Sequence, residues 1–205
     1  MSSLDLAQLD PDPLPQFARW FDAWTATRPV DPTAMILSTV DRDGQPWSRT
    51  VLLKQQDARG FVFFTNRESN KGEQLADNAR AALHFLWLSA TPDRPTRQVL
   101  VQGTVERTTP TEDDAYFASR PRDSQLGAWA SQQSRPLESR AALLARFEAL
   151  QRQYAGGDVP RPPHWGGYRV LPQRIEFWQA GDHRLHDRFV YTRSGDRWAI
   201  ARLNP

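Results

Sequence analysis

The residues best suited to chemistry gather near the end of the chain, where Arg174 to Arg188 reads R-I-E-F-W-Q-A-G-D-H-R-L-H-D-R. Taken as an extended segment, this run alternates its side chains, so Arg184, His186 and Arg188 point to one side and Leu185 and Asp187 to the other. Like charges a few ångströms apart repel unless an anion neutralises them, so this face suits a bound anion. The other reading is a solvated strand edge, where charge discourages aggregation. Arg49 to Lys54, R-T-V-L-L-K, brackets an apolar middle with two cations. Those ends face opposite sides of a regular strand and serve one ligand only if the strand bends or one works from the edge. Ser69-Asn70-Lys71 stands at a helix start, where free N–H groups and a lysine can hold a phosphate or simply meet water. Ser119 to Gln125, S-R-P-R-D-S-Q, is either a donor-rich anion site stiffened by its proline or a polar corner between helices. Gln133-Ser134 adds a neutral hydrogen-bonding pair. Together these clusters point to one or two phosphorylated ligands and leave the reaction open.

Composition excludes several classes. With 26 basic and 24 acidic residues the formal charge is only +2, so nothing demands nucleic acid and any strong positive field is local. The chain has no cysteine, which removes disulfides, thiolate metal sites and cysteine nucleophiles together. The four histidines, His84, His164, His183 and His186, show no H-x-x-x-H or H-E-x-x-H spacing, and no metal site is expected. No apolar run approaches the roughly 18 residues of a spanning helix, and the first ten residues lack a signal-like pattern. A soluble, cytoplasmic protein is the expectation, with no membrane partner.

The elements that must position these residues follow from periodicity. Pro13 to Thr27 places Phe17, Trp20, Phe21 and Trp24 on one helical stripe. Strands are expected at Ala34 to Val40, Trp47 to Lys54 and Phe61 to Thr65, with turns at Asp41 to Gly44 and Asp57 to Gly60. The third is apolar enough to be covered on both faces, by core and by a planar ligand. Ser69 to Arg80 reads as a helix capped by Ser69. Strands at Ala81 to Leu88 and Arg97 to Thr108 flank a surface loop, Ser89 to Thr96. Helices follow from Thr109, from Pro121 to Ala130, and from Pro136 to Tyr154, the last with Leu137, Ala141, Leu144, Phe147 and Leu150 as its buried stripe. Tyr168 to Trp178, Arg188 to Arg193 and Arg197 to Leu203 close the count at seven or eight strands. Helices inserted between strand groups favour a mainly β fold, an antiparallel barrel with peripheral helices, over a parallel sheet. A flexible segment over residues 1–12 and one domain over 13–205 are expected.

Several stretches together resemble the pyridoxamine 5'-phosphate oxidase family. They are D-P-T-A-M at Asp31 to Met35, R-T-V-L-L-K, F-F-T-N at Phe63 to Asn66, R-Q-V at Arg97 to Val99, Y-F-A-S-R-P-R-D-S-Q-L-G-A-W-A-S-Q-Q-S at Tyr116 to Ser134, W-G-G-Y-R-V at Trp165 to Val170, and I-E-F-W-Q-A-G-D-H-R-L-H-D-R at Ile175 to Arg188. The resemblance runs from about Pro13 onward and implies a homodimeric split β-barrel binding FMN at the subunit interface. It implies that Arg49, Thr50, Val51, Leu52, Leu53, Lys54, Phe64, Thr65, Asn70, Lys71 and Gln98 hold the FMN, with Gln133, Ser134, Trp178 and Arg188 reaching it too, some from the partner subunit. Lys54, Tyr116, Arg120 and Ser124 would hold the substrate phosphate, and Arg184, Leu185 and His186 would meet its ring, Arg184 and His186 as the catalytic pair. The implied reaction converts pyridoxamine or pyridoxine 5'-phosphate to pyridoxal 5'-phosphate, with O2 as acceptor and H2O2 as product. A relative acting on another small ring, as in phenazine biosynthesis, and a flavin carrier without turnover are the alternatives, and fold alone does not separate them. Three departures stand out: Asn70 replaces the family's common arginine, the Ser89 to Thr96 loop is longer than usual, and the N-terminus lacks an Arg- and Tyr-bearing segment.

Overall fold

The computed structural model describes residues 3–89, 91 and 94–205. Among them, nine strands form one antiparallel sheet. The first helix, α1 (Pro13–Thr25), starts where the Asp12 carboxylate accepts the Leu14 N–H at 2.9 Å and Pro13 supplies a first-turn residue that needs no donor. Its stripe is as expected: Phe17 is fully buried and Trp20 nearly so. Phe17 meets Phe61 and Phe85 edge-on, with centroids 4.8 and 4.9 Å apart. Burial of each such ring stabilises the fold by roughly 1.5–3 kcal/mol.

The strands are β1 (Ala34–Val40), β2 (Pro46–Leu52), β3 (Gln55–Asp57), β4 (Gly60–Asn66), β5 (Arg80–Trp87), β6 (Arg97–Arg107), β7 (Trp165–Gln179), β8 (Asp187–Ser194) and β9 (Arg197–Arg202). Their order is β2-β1-β5-β6-β7-β4-β3, with β8 and β9 continuing from β7. The strand after the first turn is shorter than expected, ending at Leu52 rather than Lys54. Leu53 then turns its side chain into the core, and the Lys54 N–H donates to Val62 O at 2.8 Å, so the chain leaves β1 and joins β4. This is the bend that a shared role for Arg49 and Lys54 required.

β7 splits the barrel. It pairs with β6 from Tyr168 to Gln179, but its other edge pairs with β4 from Trp165 to Val170 and with β8 from Arg174 to Gln179. Pro172 lies between the two partners and has no N–H to offer a ladder. Opposite it, the register of β6 shifts between Gln102 and Gly103. A β-carbon on Gly103 would strike the Leu171 carbonyl, so glycine lets the strands approach at this bend.

The helices cover the β4 end. They are α2 (Asn70–Asp77), α3 (Pro110–Ser119), α4 (Arg122–Ala130) and α5 (Arg140–Gln153). α5 starts at Arg140, behind its Ser139 cap and four residues later than expected, and buries no residue fully. Leu144 and Leu137 are exposed, while Phe147, Leu150 and Tyr154 pack on a second cluster built from Phe117, Leu126, Val159 and Trp165. The predicted stripe was therefore rotated by part of a turn. The segment read as one extended run near Arg184 is also different: Asp182–Arg184 forms a short 3-10 turn in which His183 and Arg184 take left-handed φ of 55° and 64°. Alternation begins only at Asp187. At the other terminus, the Leu4 N–H donates to Asp187 Oδ2 at 2.7 Å and its carbonyl accepts from Arg202 at 2.9 Å. No helix among the described residues is long and apolar enough to cross a membrane.

Candidate functional site

A cationic nest forms where β2, β4 and α2 meet. Arg49 donates to Thr39 Oγ1 at 2.5 Å and to Gln74 Oε1 at 2.9 Å. Lys71 lies one turn before Gln74 and is 9% exposed; its Nζ donates to Ser69 Oγ at 3.1 Å and to Gln133 Oε1 at 2.9 Å. Thr65 also donates to Gln133 Oε1, at 3.2 Å, so the loop after α4 is drawn onto the nest. Ser69 does not cap its helix by side chain as expected, because its hydroxyl donates to Asn66 O at 2.7 Å and receives Lys71. Among the described residues neither Arg49 nor Lys71 has a carboxylate partner; both lean on neutral oxygens. Burial, and then the nearby Arg49 charge, push the Lys71 ammonium down to about 8. Burial lowers Arg49 as well.

A second cation stands on an aromatic stack. Phe64 stacks on Tyr116 and Trp165, with centroids 4.1 and 5.3 Å apart, so protein rings rather than open space cover this face of β4. Arg120 ends α3 with its guanidinium 4.9 Å from the Trp165 ring. Its Nη1 is buried without a hydrogen-bond partner, and burial lowers its pKa. Ser124 is exposed on the first turn of α4. Lys54 is also exposed, and its charge, after the Thr33 hydroxyl, helps lower the Asp31 carboxyl.

Ion pairs fix α3 in place. Glu112 closes a capping box with Thr109 and also accepts Arg169 Nη2 at 2.7 Å. Arg169 is fully buried and reaches Asp57 at 2.6 Å. One residue on, Asp113 accepts Thr108 Oγ1 at 2.5 Å, the Gly167 N–H at 2.8 Å and Arg67 at 2.8 Å. These bonds fasten the first turn of α3 to β7 and β4, and Tyr116 and Arg120 follow one and two turns later. Arg169 lay inside the W-G-G-Y-R-V stretch but was given no role from sequence, and neither Asp113 nor Gln74 was assigned one.

A third group lies at the far end of β7. Gln98 faces Trp178 across the β6–β7 ladder, and Trp178 faces Arg188 across β7–β8. With His84 and Glu176 they line a cleft of about 280 Å3. Arg188 is engaged by Glu176 at 2.7 Å and by Asn204 O at 3.0 Å. His186 packs on Trp178 at 4.6 Å, and its Nδ1 accepts the Gly181 N–H at 3.2 Å, which leaves the proton of the neutral ring on Nε2. Gly181 admits no side chain, since a β-carbon would meet the Leu185 carbonyl. Arg184 and Leu185 project from this loop, Leu185 with 70% of its surface exposed. A larger cleft, about 880 Å3 beside α1 and lined by Trp20, Trp24, Trp87 and Arg97, contains none of the predicted site residues.

The predicted residues therefore fall into two sets. Trp165 begins β7 beside Phe64 and Arg120, whereas Trp178, thirteen residues on, stands beside His186. That is about 40 Å of strand at roughly 3.3 Å per residue. Among the Arg49 to Lys54 residues, Val51 and Leu53 spend their side chains on the core and can offer a ligand only backbone. Asn70 begins α2 with its side chain half-buried, and Ser134 holds a left-handed φ of 71°.

An antiparallel sheet divided along one long strand, with a buried cationic nest beside it, defines a split β-barrel of the kind found in flavin-binding proteins. A family model described as "Pyridoxamine 5'-phosphate oxidase" matches residues 24–154, and one described as "Pyridoxine 5'-phosphate oxidase C-terminal dimerisation region" matches residues 165–205. The pyridoxine/pyridoxamine 5'-phosphate oxidase of Paraburkholderia phymatum is 52% identical over 206 residues, covering 100% of this chain and 94% of that relative. The crystal structure of PhzG from Burkholderia lata, in complex with tetrahydrophenazine-1-carboxylic acid, superposes with TM-score 0.89 at 31% identity over 100% of both chains. A pyridoxamine 5'-phosphate oxidase-related, FMN binding protein from Nostoc punctiforme shares the fold at TM-score 0.65 and 16% identity, covering 84% of this chain and 87% of that one. The chain belongs to the pyridoxamine 5'-phosphate oxidase family, a family of oxidoreductases, and carries its C-terminal dimerisation region.

Proposed function

We propose that the protein is an FMN-dependent oxidase that converts pyridoxamine or pyridoxine 5'-phosphate to pyridoxal 5'-phosphate, working as a homodimer over residues 13–205. The observation that carries this reading is the presence of two cationic groups that have no carboxylate partner among the described residues. The Arg49–Lys71 nest fits the phosphate of FMN: two cations, two hydroxyls and the start of α2 converge where burial and the Arg49 charge drive Lys71 down to about 8. The orphaned Arg120 Nη1 fits a second phosphate, that of the substrate, with Tyr116 and Ser124 four residues to either side of it, and Lys54 would join them. A bare flavin carrier has no use for the second pocket.

When bound, FMN supplies the acceptor for a hydride from the substrate C4' carbon and delivers the electrons to O2 as H2O2. The protein binds and orients. Thr65, Lys71, Arg49 and Gln133 would hold the cofactor phosphate, Gln98 and Trp178 would border its ring, and Arg120 would anchor the substrate. Arg184 and His186 would flank the substrate ring, with the imidazole presenting its Nε2 proton and the guanidinium steadying negative charge. Because the two residue sets sit at opposite ends of β7, a complete site would take the Arg120 set from one protomer and the Arg184 set from its partner.

The likeness to PhzG supports a second reading, oxidation of a different small ring; Arg120 favours a phosphorylated one. The deciding experiment adds pyridoxamine 5'-phosphate to the flavin-loaded protein without oxygen. Bleaching of the yellow colour that air reverses supports the oxidase, and an unchanged colour refutes it. Bleaching by a phosphate-free ring alone supports the second reading.

A further inference from the structure

The outer face of the sheet carries a histidine that the proposed reaction leaves unused. His84 on β5 and Gln98 on β6 are diagonal neighbours, since His84 pairs with Leu100 and Gln98 with Leu86. Their side chains meet with His84 Nε2 2.9 Å from Gln98 Oε1, at the mouth of the cleft shared with Trp178. We infer that His84 is a positioning residue that fixes the polarity of Gln98 toward the cofactor ring, an inference that rests on the FMN reading above.

A glutamine amide is two-faced: the end held by a neighbour decides which end is offered to a ligand. With its oxygen held by His84, Gln98 presents N–H donors to the cleft, and among the described residues its nitrogen donates to no protein atom. The polar edge of a flavin ring alternates carbonyl acceptors with one N–H donor. A donating Gln98 meets a carbonyl or a bare ring nitrogen; a reversed one could meet only that N–H. Reduction adds electron density to the acceptors, so a fixed donor stabilises the reduced ring more than the oxidised ring. The charged groups facing the pair come from β7 and β8: Glu176 is engaged by both Arg174 and Arg188, at 2.9 and 2.7 Å. Glu176 is thereby held by its two arginines, and Leu100 and Pro205 complete the lining of the cleft.

The test compares the FMN-loaded wild type with His84→Leu, which removes the donor, and His84→Gln, which restores an amide nitrogen at similar reach. FMN affinity, the visible flavin spectrum and the flavin midpoint potential are read at pH 6, 7 and 8. Loss of one fixed hydrogen bond should weaken FMN roughly two- to tenfold in His84→Leu. It should also lower the midpoint potential and shift the spectrum, with His84→Gln recovering both. A wild-type potential and spectrum in His84→Leu, or no recovery in His84→Gln, overturns the role of His84 while the FMN reading stands. A wild type that takes up no FMN overturns both.

Discussion

Affinity for a phosphate in the Arg49–Lys71 nest should fall as pH rises through 8. The perturbation is pH itself. Burial and the Arg49 charge hold the Lys71 ammonium at about 8 in the ligand-free protein, against the ordinary 10.5. A phosphate dianion placed between the two cations favours the protonated lysine and raises it again, so binding takes up a proton wherever the free lysine has lost one. Phosphate monoesters complete their second ionisation near pH 6, so their own titration adds little above neutrality. For a free value of about 8, the fraction of protein ready to bind is about nine-tenths at pH 7 and about one-tenth at pH 9, which gives roughly tenfold weaker FMN binding at pH 9 than at pH 7. Quenching of FMN fluorescence at constant ionic strength measures this, and calorimetry in two buffers of different ionisation enthalpy should count close to one proton taken up at pH 9. Lys71→Met should bind weakly with no such slope. In the ligand-free protein the sign reverses: the unfolded chain binds more protons between pH 8 and 10.5, so the contribution of Lys71 to stability rises with pH across that window. A flat affinity profile between pH 7 and 9, or an unchanged slope in Lys71→Met, would refute the placement of the phosphate beside Lys71.

Other consequences concern single side chains. Arg120→Met should raise KM for pyridoxamine 5'-phosphate by about ten- to a hundredfold, the worth of a charge-assisted hydrogen bond, while FMN stays bound; steady-state kinetics beside a cofactor titration separates the two. Arg184→Ala should slow turnover without releasing FMN, and cofactor loss on a desalting column would show that its role is misassigned. Arg169→Met strips Asp57 and Glu112 of a fully buried partner, so urea melts should show about 3–5 kcal/mol lost and α3 loosened. The Thr109 backbone bond first, and then Arg169, hold the Glu112 carboxyl at about 2, below its ordinary 4.5, so its contribution is present above pH 4.5 and fades as pH falls toward 2. Acid melts in which Glu112→Gln tracks the wild type throughout would contradict this.

Much of the architecture was written in the residues because it rests on local rules. The aromatic stripe of α1, the glycine turn after β1, the helix start at Thr109 and most strand positions follow from spacing within a few residues, whereas the early end of β2 and the short β3 were not foreseen. The clusters Arg49, Ser69 to Lys71, and Ser119 to Gln125 were visible as cations in unusual company. Tertiary structure decided the rest, through forces acting between residues far apart in the chain. Sequence could not say that Pro172 would make β7 change partners, since the proline matters only once β4 and β8 compete for one edge. Nor could it say that Glu112 would cap a helix and bind Arg169 at once, or that the Arg184 loop would turn left-handed instead of running straight, because that turn depends on Gly181 closing against Leu185. The separation of Trp165 from Trp178 is likewise a property of one long strand in a curled sheet, and it divides the candidate site residues into two sets.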